Sequence, residues 1–174
     1  MEIDAERRQL VAAGSIPGAQ PAMATESPEA LIERYLHEQI PLSAAMGVRV
    51  AHAAADCVRL TAPLAPNINH SETVFGGSAA SVATLAAWAL LHLRLTGEGL
   101  RARVVIQRSG MEYQRPIPGS FEARCRFADA AAWERFRTLL GRRGRARIRL
   151  TAELFYRDER MGAFEGEFVA IASR

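Results

Sequence analysis

The chain contains no lysine; all 22 of its basic residues are arginine. That excludes a Schiff-base mechanism or an amine nucleophile from its own residues, and a Walker-type phosphate loop, which needs a lysine. Cysteine is nearly as scarce. Cys57 and Cys125 stand far apart in strand-like runs with no CxxC spacing, so zinc and thioredoxin-type readings fail, and two buried, reduced thiols are expected. His37, His52, His70 and His92 show no ligand spacing, so neither a metal nor a cofactor is expected. No uninterrupted apolar run reaches the ~18 residues of a spanning helix. The longest candidate, 78–95, is broken by Ser81, Thr84, His92 and Arg94, so no membrane partner is expected. The opening MEIDAERRQL lacks the apolar core of a secretory signal, and cytoplasmic residence is the expectation.

What is present is one domain's worth of ordinary globular chain, 174 residues of which 49% are hydrophobic and 24% charged. Charge is unevenly spread. Residues 1–100 hold 6 Arg and 10 acids, and 101–174 hold 16 Arg and 9 acids, so the second half can attract an acidic partner. Arg142, Arg143, Arg145, Arg147 and Arg149 are the densest run. Arg145, Arg147 and Arg149 alternate with Ala146, Ile148 and Leu150, which describes one solvated strand face or a docking surface for an acidic carrier protein. No interleaved aromatics accompany the run, so a nucleic-acid partner is not expected.

Residues 1–27, with Gly14, Pro17, Gly18 and Pro21, read as a flexible extension, with a short helical start around 5–13; the folded domain is expected over 28–174. Ser27-Pro28 is a helix entry, with Ser as N-cap and Pro at the first helical position, and it opens a helix over 28–38. An apolar link runs to Gly47. Residues 48–54 and 57–62 alternate as strands. A polar loop, 63–73, leads into a long apolar helix over 78–95 that should be buried on all sides. Strand-like runs follow at 102–108, 111–115 and 121–127, then a helix at 130–140, a turn at 141–144, and a terminal hairpin of 145–156 and 161–172. Trp88 and His92, one helical turn apart, are expected to pack together. One buried helix wrapped by an antiparallel sheet is an α+β arrangement, the hot-dog fold, and the exposed side of its sheet favours a homodimer or a larger assembly.

The chemistry sits in Pro66-Asn67-Ile68-Asn69-His70-Ser71-Glu72-Thr73-Val74-Phe75-Gly76-Gly77-Ser78. Free N–H groups at the start of the long helix, with its dipole, make an oxyanion site. Glycine there allows close approach by a ligand. The Asn69 amide can add a second donor. The bland alternatives are close helix packing for the glycines, Asx turns for Asn67 and Asn69, and a solvated loop position for His70.

Asn69-x3-Thr73-x-Phe75-Gly76-Gly77 before an apolar helix resembles the Asn…Thr-x-His-Gly-Gly signature of hot-dog acyl-thioester hydrolases. Met111-Glu112-Tyr113-Gln114-Arg115-Pro116 resembles their Tyr-x-x-Pro strand. Residues 36–42 (LHEQIPL), 65–69 (APNIN), 73–78 (TVFGGS) and Val105-Ile106-Gln107 resemble a narrower family, the thioesterase-like domain found alone or fused behind a bacterial acetyltransferase. The resemblance covers roughly 29–172. It implies decarboxylation of malonyl-acyl carrier protein, or of the coenzyme A thioester, to start fatty acid synthesis. It also implies a homodimer or larger assembly with sites at the subunit interface. The family's catalytic asparagine falls on Asn69, with Asn67 second, and Gly77 supplies an N–H. His70, Thr73, Phe75, Gly76, Ser78, Thr84, Arg108, Ser109 and Tyr113 are the expected substrate contacts.

Two departures from the hydrolase pattern matter. Phe75 replaces the signature histidine, and Thr84 stands where a catalytic carboxylate is expected. No acid occurs from Gly76 to Leu95, and Glu72 lies on the other side of the glycines. Hydrolysis needs a base or nucleophile. Decarboxylation needs donors for an enolate oxygen and a poorly solvating pocket for the carboxylate, which favours it here. Hydrolysis, through a water held by Asn67, Asn69, His70 or Thr84, is the alternative. A non-catalytic acyl-thioester binder is the third.

Overall fold

The computed structural model describes residues 26–173; the extension expected over 1–27 lies almost wholly outside them. The elements are α1 (Pro28–Gln39), α2 (Pro41–Ala45), β1 (Arg49–Ala53), β2 (Cys57–Ala62), α3 (Gly76–Gly97), β3 (Ala102–Tyr113), β4 (Phe121–Arg126), α4 (Ala130–Arg143), β5 (Arg145–Tyr156) and β6 (Glu159–Ala172). The six strands form one antiparallel sheet in the order β1-β2-β4-β5-β6-β3. It curls around α3, as expected for the hot-dog fold.

Local chemistry sets the element ends. The Ser27 side chain accepts from Ala30 N–H at the start of α1, and Pro28 occupies the first turn. α4 begins at Asp129, whose carboxylate accepts from Ala132 N–H. It runs past Gly141 to Arg143 and stops where Gly144 takes a left-handed conformation, φ 65°. The apolar link expected before Gly47 contains the one-and-a-half turns of α2.

Two expectations need correcting. The runs at 102–108 and 111–115 are one strand: Ser109 and Gly110 stay in the ladder opposite Gly166 and Glu165, and the register slips only between Ile106 and Arg108. The strand ends at Tyr113 because Gln114 N–H and Arg115 N–H both donate to the Met161 carbonyl. Helix α3, in turn, is not buried all round. Ala83, Ala86, Ala87, Leu90 and Leu91 are fully buried against the sheet, but Ser81, Thr84, Trp88 and His92 form a half-covered stripe. Tyr35 of α1 stacks on Trp88 and His92, making three rings in mutual contact. α3 has the length and hydropathy of a membrane span, yet over half of it is buried in the fold.

The two sheet edges differ. Strand β1 is covered by α1, whose Glu33 accepts from Val50 N–H at 2.9 Å and whose Glu29 accepts from Ala53 N–H at 3.2 Å. Carboxylates thereby occupy donors that another strand would seek. Burial alone would raise the Glu33 pKa, but the Val50 N–H and Arg49 guanidinium outweigh it and hold the carboxyl below its usual range. A depressed carboxylate stabilises the fold above its unfolded pKa, and the contribution is lost as pH falls through the lower, folded value. Glu33→Gln should therefore cost about 1 kcal/mol at pH 7. In thermal melts the variant and wild type should converge as pH drops below the ordinary glutamate range.

Candidate active site

The loop before α3 is built on Asn67. Its side chain is buried, and its Nδ2 donates to the carbonyls of Met46 and Pro63, both at 2.8 Å. Its backbone carbonyl accepts from Phe75 N–H at 2.7 Å, which sets Phe75 as the residue before the helix. Asn67 is thus a pin beneath the site. Both amide protons are spent on carbonyls, so the role of second catalytic asparagine does not fit its position.

Asn69 closes the next turn. Its Oδ1 accepts from Ser71 N–H at 2.8 Å and Thr73 N–H at 3.3 Å, an Asx turn. Its Nδ2 lies 3.1 Å from Thr73 Oγ1 and 3.4 Å from the Val74 carbonyl. The longer contact is weak, so that proton is the one a substrate oxygen can take at least cost. His70, at the tip, is exposed, and Glu72 holds a left-handed φ of 61°.

α3 starts on the double glycine itself, two residues earlier than expected. Among the described residues no side chain caps this end. The first intrahelical bond is Ala79 N–H to the Phe75 carbonyl, leaving the N–H groups of Gly76, Gly77 and Ser78 free of backbone partners. Each glycine makes room for a ring. A Cβ on Gly77 would come 2.3 Å from Phe75 Cε1, and one on Gly76 would come 3.2 Å from Tyr113 Cζ. The Tyr113 hydroxyl donates to the Gly76 carbonyl at 2.8 Å. Both rings are more than half exposed.

Beside this helix end lies a cavity of about 450 Å³. Thr73, Gly76, Gly77 and Tyr113 line it, as the sequence suggested, together with Val74, Ala79, Ile117, Leu154 and Met161, which are buried and apolar. Val74 and Ala79 flank the double glycine, but Ile117, Leu154 and Met161 come from a second loop and from β5 and β6, which no local pattern announces. Asn69 and Phe75 adjoin the cavity through Thr73, Val74 and Gly77. Ser78, half-buried, offers its free N–H at the same helix end. Thr84 does not reach the cavity: its hydroxyl donates to the Ala80 carbonyl at 2.8 Å, two turns into α3. Arg108 and Ser109 also lie away from it, on the exposed part of β3 opposite Glu167 and Gly166. A larger depression, about 770 Å³, lies on the sheet face away from α3 among Arg124, Arg126, Glu153 and Arg160, and none of the expected site residues reaches it.

Thiol chemistry is ruled out at Cys125. Burial, with Cys57 nearby, pushes it up to about 12, so it stays protonated near neutral pH. Among the described residues no group of His, Cys, Asp or Glu could hold a metal. The site therefore consists of neutral N–H donors at a helix end over a cavity with an apolar floor, with Gln114 and Arg115 also in its lining. That combination suits a carbonyl bearing an acyl chain.

Fold and site define a hot-dog protein of the acyl-thioester class. Residues 29–172 match the family model described as "Putative thioesterase (yiiD_Cterm)", and the chain belongs to that family. It is similar to a protein of unknown function from Chlorobaculum tepidum, with 27% identity over 84% of this chain and 98% of that one, TM-score 0.79. It is similar to a putative thioesterase from Shewanella oneidensis at 25% identity, over 82% and 96% of the two chains, TM-score 0.74. A probable thioesterase from Pseudomonas aeruginosa shares the fold at 23% identity, over 86% and 99%, TM-score 0.73.

Asn67→Ala should lower stability by about 2 kcal/mol, since the buried Met46 carbonyl and the part-buried Pro63 carbonyl lose their donor, and chemical denaturation will measure it. Asn69→Ala, at a half-buried turn, should cost under about 1 kcal/mol. The two asparagines are thereby separated into a pin and a surface donor.

Proposed function

We propose that the protein decarboxylates a malonyl thioester, carried on acyl carrier protein or coenzyme A, to the acetyl thioester. The observation that carries this reading is the pairing of free N–H donors at Gly76–Ser78 with a cavity whose lining, among the described residues, contains no carboxylate. The thioester carbonyl accepts from this helix end and from Asn69 Nδ2. The bond between the methylene carbon and the carboxylate breaks, carbon dioxide leaves, and the electron pair moves into the enolate oxygen held by those donors. The enolate carbon then takes a proton from water. An apolar floor of Val74, Ile117, Leu154 and Met161 solvates the departing carboxylate poorly, which favours its loss.

Thioester hydrolysis is the second reading, and the family description favours it. Such a reaction needs a base. Glu159 stands two residues before Met161 of the cavity floor, but Arg115 Nη1 engages its carboxylate at 2.8 Å. Among the described residues, no carboxylate or imidazole lines the cavity.

The site's surroundings support a homodimer or larger assembly. Strand β3 is a 12-residue edge with Val105, Ile106 and Tyr113 exposed. Among the described residues, one hydrogen bond reaches its backbone from outside the sheet, from the Trp88 indole N–H to the Val104 carbonyl at 3.3 Å. The half-covered stripe of α3 meets this edge at Trp88. A second copy paired along β3 buries both.

Asn69→Ala should cut release of labelled carbon dioxide from malonyl thioester by about 100-fold with the fold intact by circular dichroism. Undiminished release would remove Asn69 from the mechanism. Sedimentation should give at least a dimer, and Val105→Glu with Ile106→Glu should give a monomer. A wild-type monomer at micromolar concentration would refute the β3 interface.

A further inference from the structure

Among the described residues, Arg115 is the one charged residue lining the cavity at the start of α3. The floor is aliphatic, the helix N–H groups are needed for the thioester oxygen, and the polar side chains of Thr73, Tyr113 and Gln114 in the lining are bonded to Asn69, the Gly76 carbonyl and Glu112. The base of Arg115 is fixed, because its own N–H and that of Gln114 donate to the Met161 carbonyl at 3.1 and 2.9 Å. Met161 itself is buried in the cavity floor. The guanidinium already holds a carboxylate, with Nη1 2.8 Å from Glu159 Oε2. Glu159 lies on β6 two residues before Met161, hence on the same side of the strand. Both side chains of the pair are largely exposed, at 57% and 65%. Such a pair contributes little to stability, so an incoming carboxylate can exchange with Glu159 at small cost.

We propose that Arg115 is a specificity-determining residue that selects acyl groups ending in a carboxylate, with Glu159 as its resident counter-ion. The proposal rests on the reading of this cavity as an acyl-thioester site, but not on which reaction follows. A neutral acyl chain of the same length gains nothing from Arg115. Glu159 has a second effect. By competing for the guanidinium it keeps Arg115 from clamping the substrate carboxylate, which would stabilise the ground state against its loss.

The test uses malonyl- and butyryl-pantetheine with an amide in place of the thioester, so that affinity is read without turnover. Calorimetry on the full chain should show the malonyl probe binding about tenfold tighter than the butyryl probe. Arg115→Gln should abolish that preference while leaving butyryl affinity within about twofold, and Glu159→Gln should raise malonyl affinity several-fold. On malonyl thioester, Arg115→Gln should raise both KM and kcat, and Glu159→Gln should lower both. Equal wild-type affinity for the two probes, or an Arg115→Gln loss shared by both, would overturn the proposal. A malonyl preference without carbon dioxide release would retain Arg115 as selector and overturn the decarboxylation reading instead.

Discussion

Helix α3 carries no charged side chain from Gly76 to Leu93, and ten of its residues are buried. Such a helix cannot stand in water, and the sheet curls around it to remove its apolar surface. The rest follows from where that helix begins. Its first turn must emerge at the rim of the sheet, and the loop carrying it must end in residues that let the backbone approach other groups. Gly76 and Gly77 meet that need, each with an aromatic ring where a side chain would otherwise sit. The same step leaves N–H groups without backbone partners beside an aliphatic cavity. A requirement of packing thus creates the polar site.

Edge protection divides the molecule into a closed side and an open one. Strand β1 is covered by two glutamates of α1. Strand β3 carries no such cover, is more than twice as long, and lies beside the half-covered stripe of α3. The site opens on this uncovered side, where Tyr113 ends β3 against Gly76. The site and the uncovered edge therefore share one margin of the fold.

Much of this was legible in local sequence. Ser27-Pro28, the unbroken apolar pattern of α3, the alternation of β5 and the loop leading to the double glycine each express a short-range rule. Long-range pairing was not legible. Ser109-Gly110 reads as a strand break, yet β6 holds both residues in its ladder. Asn67 looks like a second site donor beside Asn69, but carbonyls 21 and 4 residues away fix it under the loop. The cavity floor needs Leu154 and Met161, and the Arg115–Glu159 pair spans 44 positions, so no local pattern could join them.

The central chemical claim is that donors without a base favour losing carbon dioxide over attacking with water. Neutral N–H groups stabilise an enolate oxygen and a tetrahedral oxyanion alike, so the deciding factor is the missing carboxylate in the cavity wall. Intact-mass spectrometry of malonyl-acyl carrier protein after incubation with the wild-type protein tests this most directly. The account predicts loss of carbon dioxide with the thioester preserved, giving acetyl-carrier. Appearance of free carrier thiol instead would contradict it and point to a water-activating group supplied from outside the cavity lining.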